Sequence, residues 1–303
     1  MSDEMQLNLI QTYTWVCEMF DKNPQWKFIR LSNNNQPTEF TDQEAVAVYL
    51  FVGRYLKNAK VSEIHHFATH WLSDWFPNLT TYEKFNNRLN TLHSVFYDIT
   101  LDAISNHIPA DAQFQKQIID SMPIITAKGK NRIGKVAKEL TDKGFCSTKN
   151  LYYYGMKLHI LAFRRAGTLP FPNKIHLSAA SENDLSLAKQ LNWFDELQSV
   201  ELFADKAYCD KPYFEQREQW IQLDLFTPVK TVKGTPEHIK QHDFAYNKLF
   251  SATVSKIRQP IESLFNWIIE KTDIQNASKV RSTNGLLLHC FGKLAIVAIN
   301  FMF

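Results

Sequence analysis

Between residues 116 and 229 the chain carries five short apolar runs, and two of them end on an aspartate. They read KQIIDS (116–121), LYYYGMKLHILAF (151–163), KIHLSA (174–179), VELFAD (200–205) and QLDLFTPV (222–229). Short continuous runs rich in β-branched and aromatic residues predict buried strands. Asn183 or Asp184 is placed to cap a helix through Leu185, Leu187, Ala188 and Leu191. A second helix is expected around 211–220 and a long one from about Tyr246 to Glu270, with polar loops over 128–149 and 230–246.

The resulting order is β-β-β-α-β-α-β-α. Three strands before the first helix predict a meander, and later strands separated by helices predict parallel crossovers. That is a ribonuclease H-like topology: an α/β domain built on a mixed five-stranded sheet flanked by helices. It requires the first and fourth strands to be neighbours, which sets Asp120 beside Asp205. Two carboxylates held close repel each other and raise one pKa. A hard divalent cation relieves that repulsion, and Mg²⁺ takes oxygen ligands while keeping room for a substrate phosphate. Glu262, on the last long helix, is placed to close such a site.

The N-terminal part has a different texture. Leu9, Ile10, Tyr13, Val16, Cys17 and Phe20 recur at helical spacing. Asn33 to Pro37 mark a loop, and Thr41 with Glu44 forms a capping-box pattern for a helix to about Leu56. Further helices are expected from Val61, with Ser62 as cap, to Trp71, and from Thr80 or Thr81 through Phe96. Three short helices with tight turns fit a helix-turn-helix reader and a plain bundle equally. The polar stretch SNHIPADAQ (105–113) marks the boundary, giving an all-α domain over 1–110 and the α/β domain over 111–303.

Charge divides along the same line. Residues 1–115 hold 8 Lys/Arg and 13 Asp/Glu, a balance of −5, whereas 116–303 hold 26 and 18, a balance of +8. The second part is suited to a polyanion and the first is not an obvious phosphate binder. The four cysteines, at 17, 146, 209 and 290, lack CxxC spacing, and reduced thiols are expected. MSDEMQLNLI lacks the basic start and long apolar run of a signal peptide. Asn284–Phe303 is apolar enough to raise a membrane span, but His289, Gly292 and Lys293 interrupt it and favour a buried helix.

IIDSMPI around Asp120, LFADKAY around Asp205 and IRQPIESLFNWI around Glu262 resemble the three acidic motifs of DDE transposases from bacterial insertion sequences. FPNLTTYEKFNNRLNTL resembles their pre-catalytic segment, so the likeness covers roughly residues 80–303. The resemblance implies metal-dependent DNA cleavage at element ends and strand transfer by in-line phosphoryl displacement. It implies two Mg²⁺ ions, with Mn²⁺ as substitute, held by Asp120, Asp205 and Glu262. The implied partners are duplex DNA, as terminal inverted repeats and target, and a second copy of the chain in the synaptic complex. A membrane is not among them, and the implied setting is the prokaryotic cytoplasm at the nucleoid. The same acids are compatible with a nuclease or resolvase that hydrolyses without transfer, and a DNA-binding protein without activity is the reading from another class.

The family also places an Arg four residues before the catalytic Glu, here Arg258. Residues four apart share a helix face, so Arg258 is expected to reach a phosphate, in preference to a solvated Arg258–Glu262 ion pair. Ser255 stands where a Tyr is common and Ala207 where a Gly is common. Ile269 takes the place of a family Lys, leaving Lys271 as the nearest base. Arg132 and Lys130, with Lys128, Lys135 and Lys138, form a basic stretch that tracks a DNA backbone or is simply solvated. Lys157 and His159 alternate on the second strand and face either the metal or DNA, or His159 is a satisfied sheet residue. Lys206 follows Asp205 and is a further phosphate contact, and Lys230, Lys233, Lys240 and Lys248 precede or open the last long helix.

Overall fold

A computed structural model describes residues 1–29, 38–130, 134–146, 150–229 and 244–302. Its helices are α1 (Asp3–Lys22), α2 (Asp42–Tyr55), α3 (Val61–Trp71), α4 (Tyr82–Thr91), α5 (His93–Asn106), α6 (Asp184–Gln190), α7 (Lys211–Ile221), α8 (Phe244–Arg258), α9 (Pro260–Thr272) and α10 (Thr283–Ile299). Its strands are β1 (Gln113–Lys128), β2 (Asp142–Cys146), β3 (Leu151–Arg164), β4 (Phe171–Ala179), β5 (Val200–Phe203) and β6 (Leu223–Phe226). The chain divides into two compact units: unit 1 is Met1–His107 with Ile268–Phe303, and unit 2 is Ile108–Trp267.

Unit 1 is helical. Thr41 caps α2 through the expected capping box, its side chain taking the Glu44 N–H while the Glu44 carboxylate takes the Thr41 N–H. Every residue from Ala45 to Gly53 is buried, so α2 is apolar all round and forms the centre of the unit. Val16, Ile64, Phe85, Phe96 and Ile296 join the same core. The α3 cap differs from expectation. Lys60, not Ser62, is the N-cap, and its backbone N–H bonds the Glu63 carboxylate at 2.9 Å. The helix expected through Phe96 is two helices, broken at Leu92.

The apolar C-terminal segment is the buried helix α10, with ten buried residues. It approaches α2 through two glycines. A Cβ on Gly53 would lie 2.3 Å from Ile296 Cδ1, and one on Gly292 would lie 2.6 Å from the Tyr49 hydroxyl. Among the described residues no helix is long and apolar enough to cross a membrane. The expected division near residue 110 assigned 268–303 to the α/β part, whereas these residues pack with the N-terminal helices. The sequence holds no turn signal at that second boundary because it falls inside α9.

Unit 2 is built on one six-stranded sheet. β1 pairs antiparallel with β3, and β3 carries both β2 and β4 on its other side, β2 along 151–155 and β4 along 156–163. On its far side β1 pairs parallel with β5, and β5 pairs parallel with β6. Helix α7 makes the crossover between the two parallel strands. A meander followed by parallel crossovers, with helices around a mixed sheet, is a ribonuclease H-like fold. The sixth strand, β2, falls in the stretch expected as loop. Only Gly144 of it is buried, so it had no apolar pattern to show, and the open edge of β3 recruits it through backbone bonds.

The expected single helix from Tyr246 to Glu270 is also two, α8 and α9, divided at Gln259–Pro260. Proline lacks an N–H and its ring clashes with the carbonyl one turn back, which ends the helix before it. Glu262 therefore lies in the first turn of α9, where the helix dipole favours a carboxylate.

Candidate active site

Asp120 on β1 and Asp205, two residues past the end of β5, stand in the same register. Lys116 pairs with Glu201, Gln117 with Leu202 and Ile118 with Phe203, and each aspartate lies two residues beyond that last pair. The apolar runs Ile118–Ile119 and Leu202–Ala204 are buried and hold the two backbones against the core. Asp120 Oδ1 accepts the Ser121 N–H at 2.8 Å, and Asp205 Oδ1 accepts the Ala207 N–H at 2.7 Å, capping a short 3-10 turn over Lys206–Tyr208.

Arg258, at the end of α8, reaches both remaining parts of the site. Its Nη1 donates to Asp120 Oδ2 at 2.5 Å, and its Nη2 pairs with Glu262 Oε1. Arg258 and Asp120 are largely shielded, with 16% and 18% of their side chains exposed, whereas Glu262 is 53% exposed. The break at Pro260 does not separate Arg258 from Glu262. The pair forms, but Arg258 is not on a solvated face, because Asp120 takes its other nitrogen.

Burial pushes the Asp120 carboxyl up from 3.8 to about 7, with Asp205 and Asp184 adding like-charge repulsion, while Arg258 and the Ser121 N–H pull the other way. Asp184 is a further acid at this site, and the sequence reading saw it only as a helix cap. Asn183 is the actual cap of α6. Asp184 accepts from Ser121 Oγ at 2.9 Å and from Lys157 Nζ at 2.8 Å. It follows the end of β4 by five residues with no apolar run before it. A search for acids directly at strand ends passes over it.

Tyr208 completes the set. Its ring is fully buried and its hydroxyl has no hydrogen-bond partner. Burial first, and then the charges of Asp184, Asp120 and Asp205, push the phenol well above its ordinary range. An orphaned hydroxyl beside carboxylates has bonding capacity that the protein's own groups leave unused.

The donors are of the chemical kind that a hard divalent cation takes. They are carboxylate oxygens, they repel one another, and an unsatisfied hydroxyl stands beside them. Among the described residues, however, no group of three or more His, Cys, Asp or Glu side chains converges closely enough to hold a metal ion. The positive charge between Asp120 and Glu262 is the Arg258 guanidinium.

Of the other expected contacts, Lys157 and His159 lie beside Asp184 and the rest are dispersed. Lys157 is bound to Asp184 and to the Glu182 carbonyl, so its ammonium supports an acid of the site. His159 is 2% exposed and bonds Ser178 Oγ through Nε2 at 2.8 Å. Burial depresses its pKa to about 4, and its Nδ1 stands 3.9 Å from Asp184 Oδ1, so it is a buried sheet residue beside an acid of the site. Lys206 is exposed, and so is Lys130, which lies over the Tyr152 ring at 5.8 Å. Lys271 belongs to unit 1. Arg132, Lys230, Lys233 and Lys240 lie outside the described residues.

A family model described as "Transposase DDE domain" matches residues 112–300. No curated protein and no solved structure matches the chain significantly.

Proposed function

The chain belongs to the DDE transposase family, and from that premise we propose that Asp120, Asp205 and Glu262 are the carboxylates with which it cleaves DNA at element ends and joins them to a target. The family implies a DNA-cleaving and strand-transferring enzyme, and its members generally use divalent metal ions. In our reading this chain takes two Mg²⁺ ions, or Mn²⁺ in their place. When bound, they would activate the attacking oxygen and stabilise charge on the leaving oxygen of an in-line displacement.

The protein's own groups do the rest. Asp120 must be ionised to serve as a ligand, and Arg258 favours that state by placing a cation 2.5 Å from it. Arg258 is also the side chain best placed to move from Glu262 to a phosphate oxygen, since its fork binds either group in the same way. Lys157 holds Asp184 in place through a 2.8 Å contact. Lys206, Lys130 and Arg132 are proposed backbone contacts for duplex DNA. The element is proposed to be a bacterial insertion sequence with terminal inverted repeats, acting in the cytoplasm through a dimer. Residues 1–110 would serve end binding or dimerisation.

The observation that carries this reading is the shared register of Asp120 and Asp205, with Arg258 linking Asp120 onward to Glu262. The test is cleavage and joining of a duplex bearing the inverted repeat that flanks the reading frame, with Mg²⁺ present. Wild type is expected to cut and join, and Asp120→Asn to do neither. Normal cleavage by Asp120→Asn would overturn the assignment, and cleavage without joining would favour a nuclease or resolvase.

A further inference from the structure

Residues 1–115 carry 13 Asp/Glu against 8 Lys/Arg, which on its own argues against a phosphate-binding surface. The packing of unit 1 changes the charge around those helices. Residues 268–303 belong to the same unit and bring Lys271, Lys279, Arg281 and Lys293. Lys279, Arg281 and Lys293 line a cavity of about 780 Å³, together with Lys60 at the start of α3 and Asn87 and Asn90 of α4. Every residue lining it lies in unit 1.

The cavity is positive. Four cations line it against one carboxylate, Asp273. Lys60 is paired with Glu63 at 2.7 Å, which lies outside the lining. Arg281 donates to the Ser278 and Val280 carbonyls at 3.0 and 2.9 Å, bonds that fix its guanidinium without neutralising it. Lys293 donates to the Asp273 carbonyl at 3.2 Å, and burial pushes its ammonium down to about 8. A bound anion would offset that cost. The two asparagine amides add neutral donors and acceptors. Cations interleaved with amides, in a cleft of this size, suit the oxygens of successive phosphodiesters.

We propose that this cleft of unit 1 grips the backbone of duplex DNA through Lys279, Arg281, Lys293, Asn87 and Asn90. The inference rests on reading the chain as a DNA-handling enzyme, but it assigns a set of residues separate from the acids. It supplies the acidic N-terminal helices with a phosphate contact whose cations come mostly from the other end of the chain.

The test is the salt dependence of duplex binding by the full chain, read by fluorescence anisotropy with a chelator present. Each phosphate contact contributes about 0.9 to the slope of log affinity against log salt. A Lys279→Ala/Arg281→Ala double variant is therefore expected to lower the slope by about 2. Lys22→Ala/Lys27→Ala removes the same charge from exposed residues that do not line the cleft, and is expected to leave the slope unchanged. Because Arg281 also ties down its own turn, Asn87→Asp is the second variant. It puts a negative charge in the cleft and should weaken binding at low salt with unchanged thermal unfolding. Duplex DNA should protect Lys279 from acetylation. Equal slopes for the two double variants would overturn the proposal. So would protection of Lys279 by polyglutamate and not by DNA, which would point to an acidic protein. Equal salt slopes for the two double variants, with cleavage still lost in Asp120→Asn, would sink the cleft and leave the carboxylates standing, so the two readings fail separately.

Discussion

Arg258 holds Asp120 across 138 residues of sequence through a contact of 2.5 Å. Removing the guanidinium takes away the charge that most favours the ionised carboxylate. In Arg258→Gln the Asp120 carboxyl should titrate above its present value of about 7 in the metal-free protein, as read by carboxyl NMR. Cleavage should fall on the order of a hundredfold, the scale of a misplaced positioning group. Lysine should restore little, because it cannot engage two carboxylates as a fork. An unchanged Asp120 titration in Arg258→Gln would break the link.

The raised Asp120 pKa has a consequence for stability. The folded chain binds this proton more tightly than the unfolded chain, whose carboxyl titrates near 3.8. The penalty is therefore absent below about pH 4, grows as pH rises, and is complete above about pH 7. Asp120→Asn removes the charge. The metal-free variant should match wild type near pH 4 and exceed it above pH 7, by on the order of a few kcal/mol. Urea unfolding at the two pH values with a chelator present measures this. A constant difference across the range would contradict it.

Metal affinity should follow the same titration in the opposite sense. Binding requires the ionised carboxylate, so Mn²⁺ affinity should fall as pH drops through about 7. Calorimetry should also detect proton release on binding near that pH. A flat profile between pH 6 and 8 would mean that Asp120 is not a ligand.

The buried Tyr208 hydroxyl has no hydrogen-bond partner. Replacing an unsatisfied buried hydroxyl by hydrogen costs nothing and can stabilise by about 1 kcal/mol or more. Tyr208→Phe should therefore melt at or above the wild-type temperature. A clear loss of stability would reveal a hydrogen bond to that hydroxyl.

Gly53 and Gly292 permit the close approach of α2 and α10. A methyl at either position meets Ile296 or Tyr49 well inside contact distance. Alanine gains up to about 1 kcal/mol in helix propensity but should lose about 1–3 kcal/mol to overpacking. Denaturant melts of the single variants should show net destabilisation. Stabilisation by either would mean that the helices separate without cost.

Much of the sheet was legible because β3, β5 and the centre of β1 are largely buried and read as continuous apolar runs. The adjacency of Asp120 and Asp205 followed from strand order alone. Features carried by backbone geometry were not legible. β2 buries only a glycine, so side-chain pattern could not reveal it. Pro260 lies inside the span expected as one helix, and two helices stand there. Asp184 was hidden because a carboxylate after a turn resembles any helix cap, and only the fold brings it to Ser121 and Lys157. The double engagement of Arg258 was half visible. Its spacing to Glu262 is in the sequence, whereas its contact with Asp120 depends on tertiary structure.

The packing of α10 into the N-terminal helices imposes an order on synthesis. During translation α1 to α5 lack Leu288, Ala295, Ile296 and Ile299 of their core until α10 is made. The residues of the sheet are all translated by then, so unit 2 is free to fold while unit 1 waits. A ribosome-stalled chain ending before residue 283 should show a protease-resistant sheet and digestible N-terminal helices. Residues 268–303 are then expected to set when residues 1–107 become a folded body.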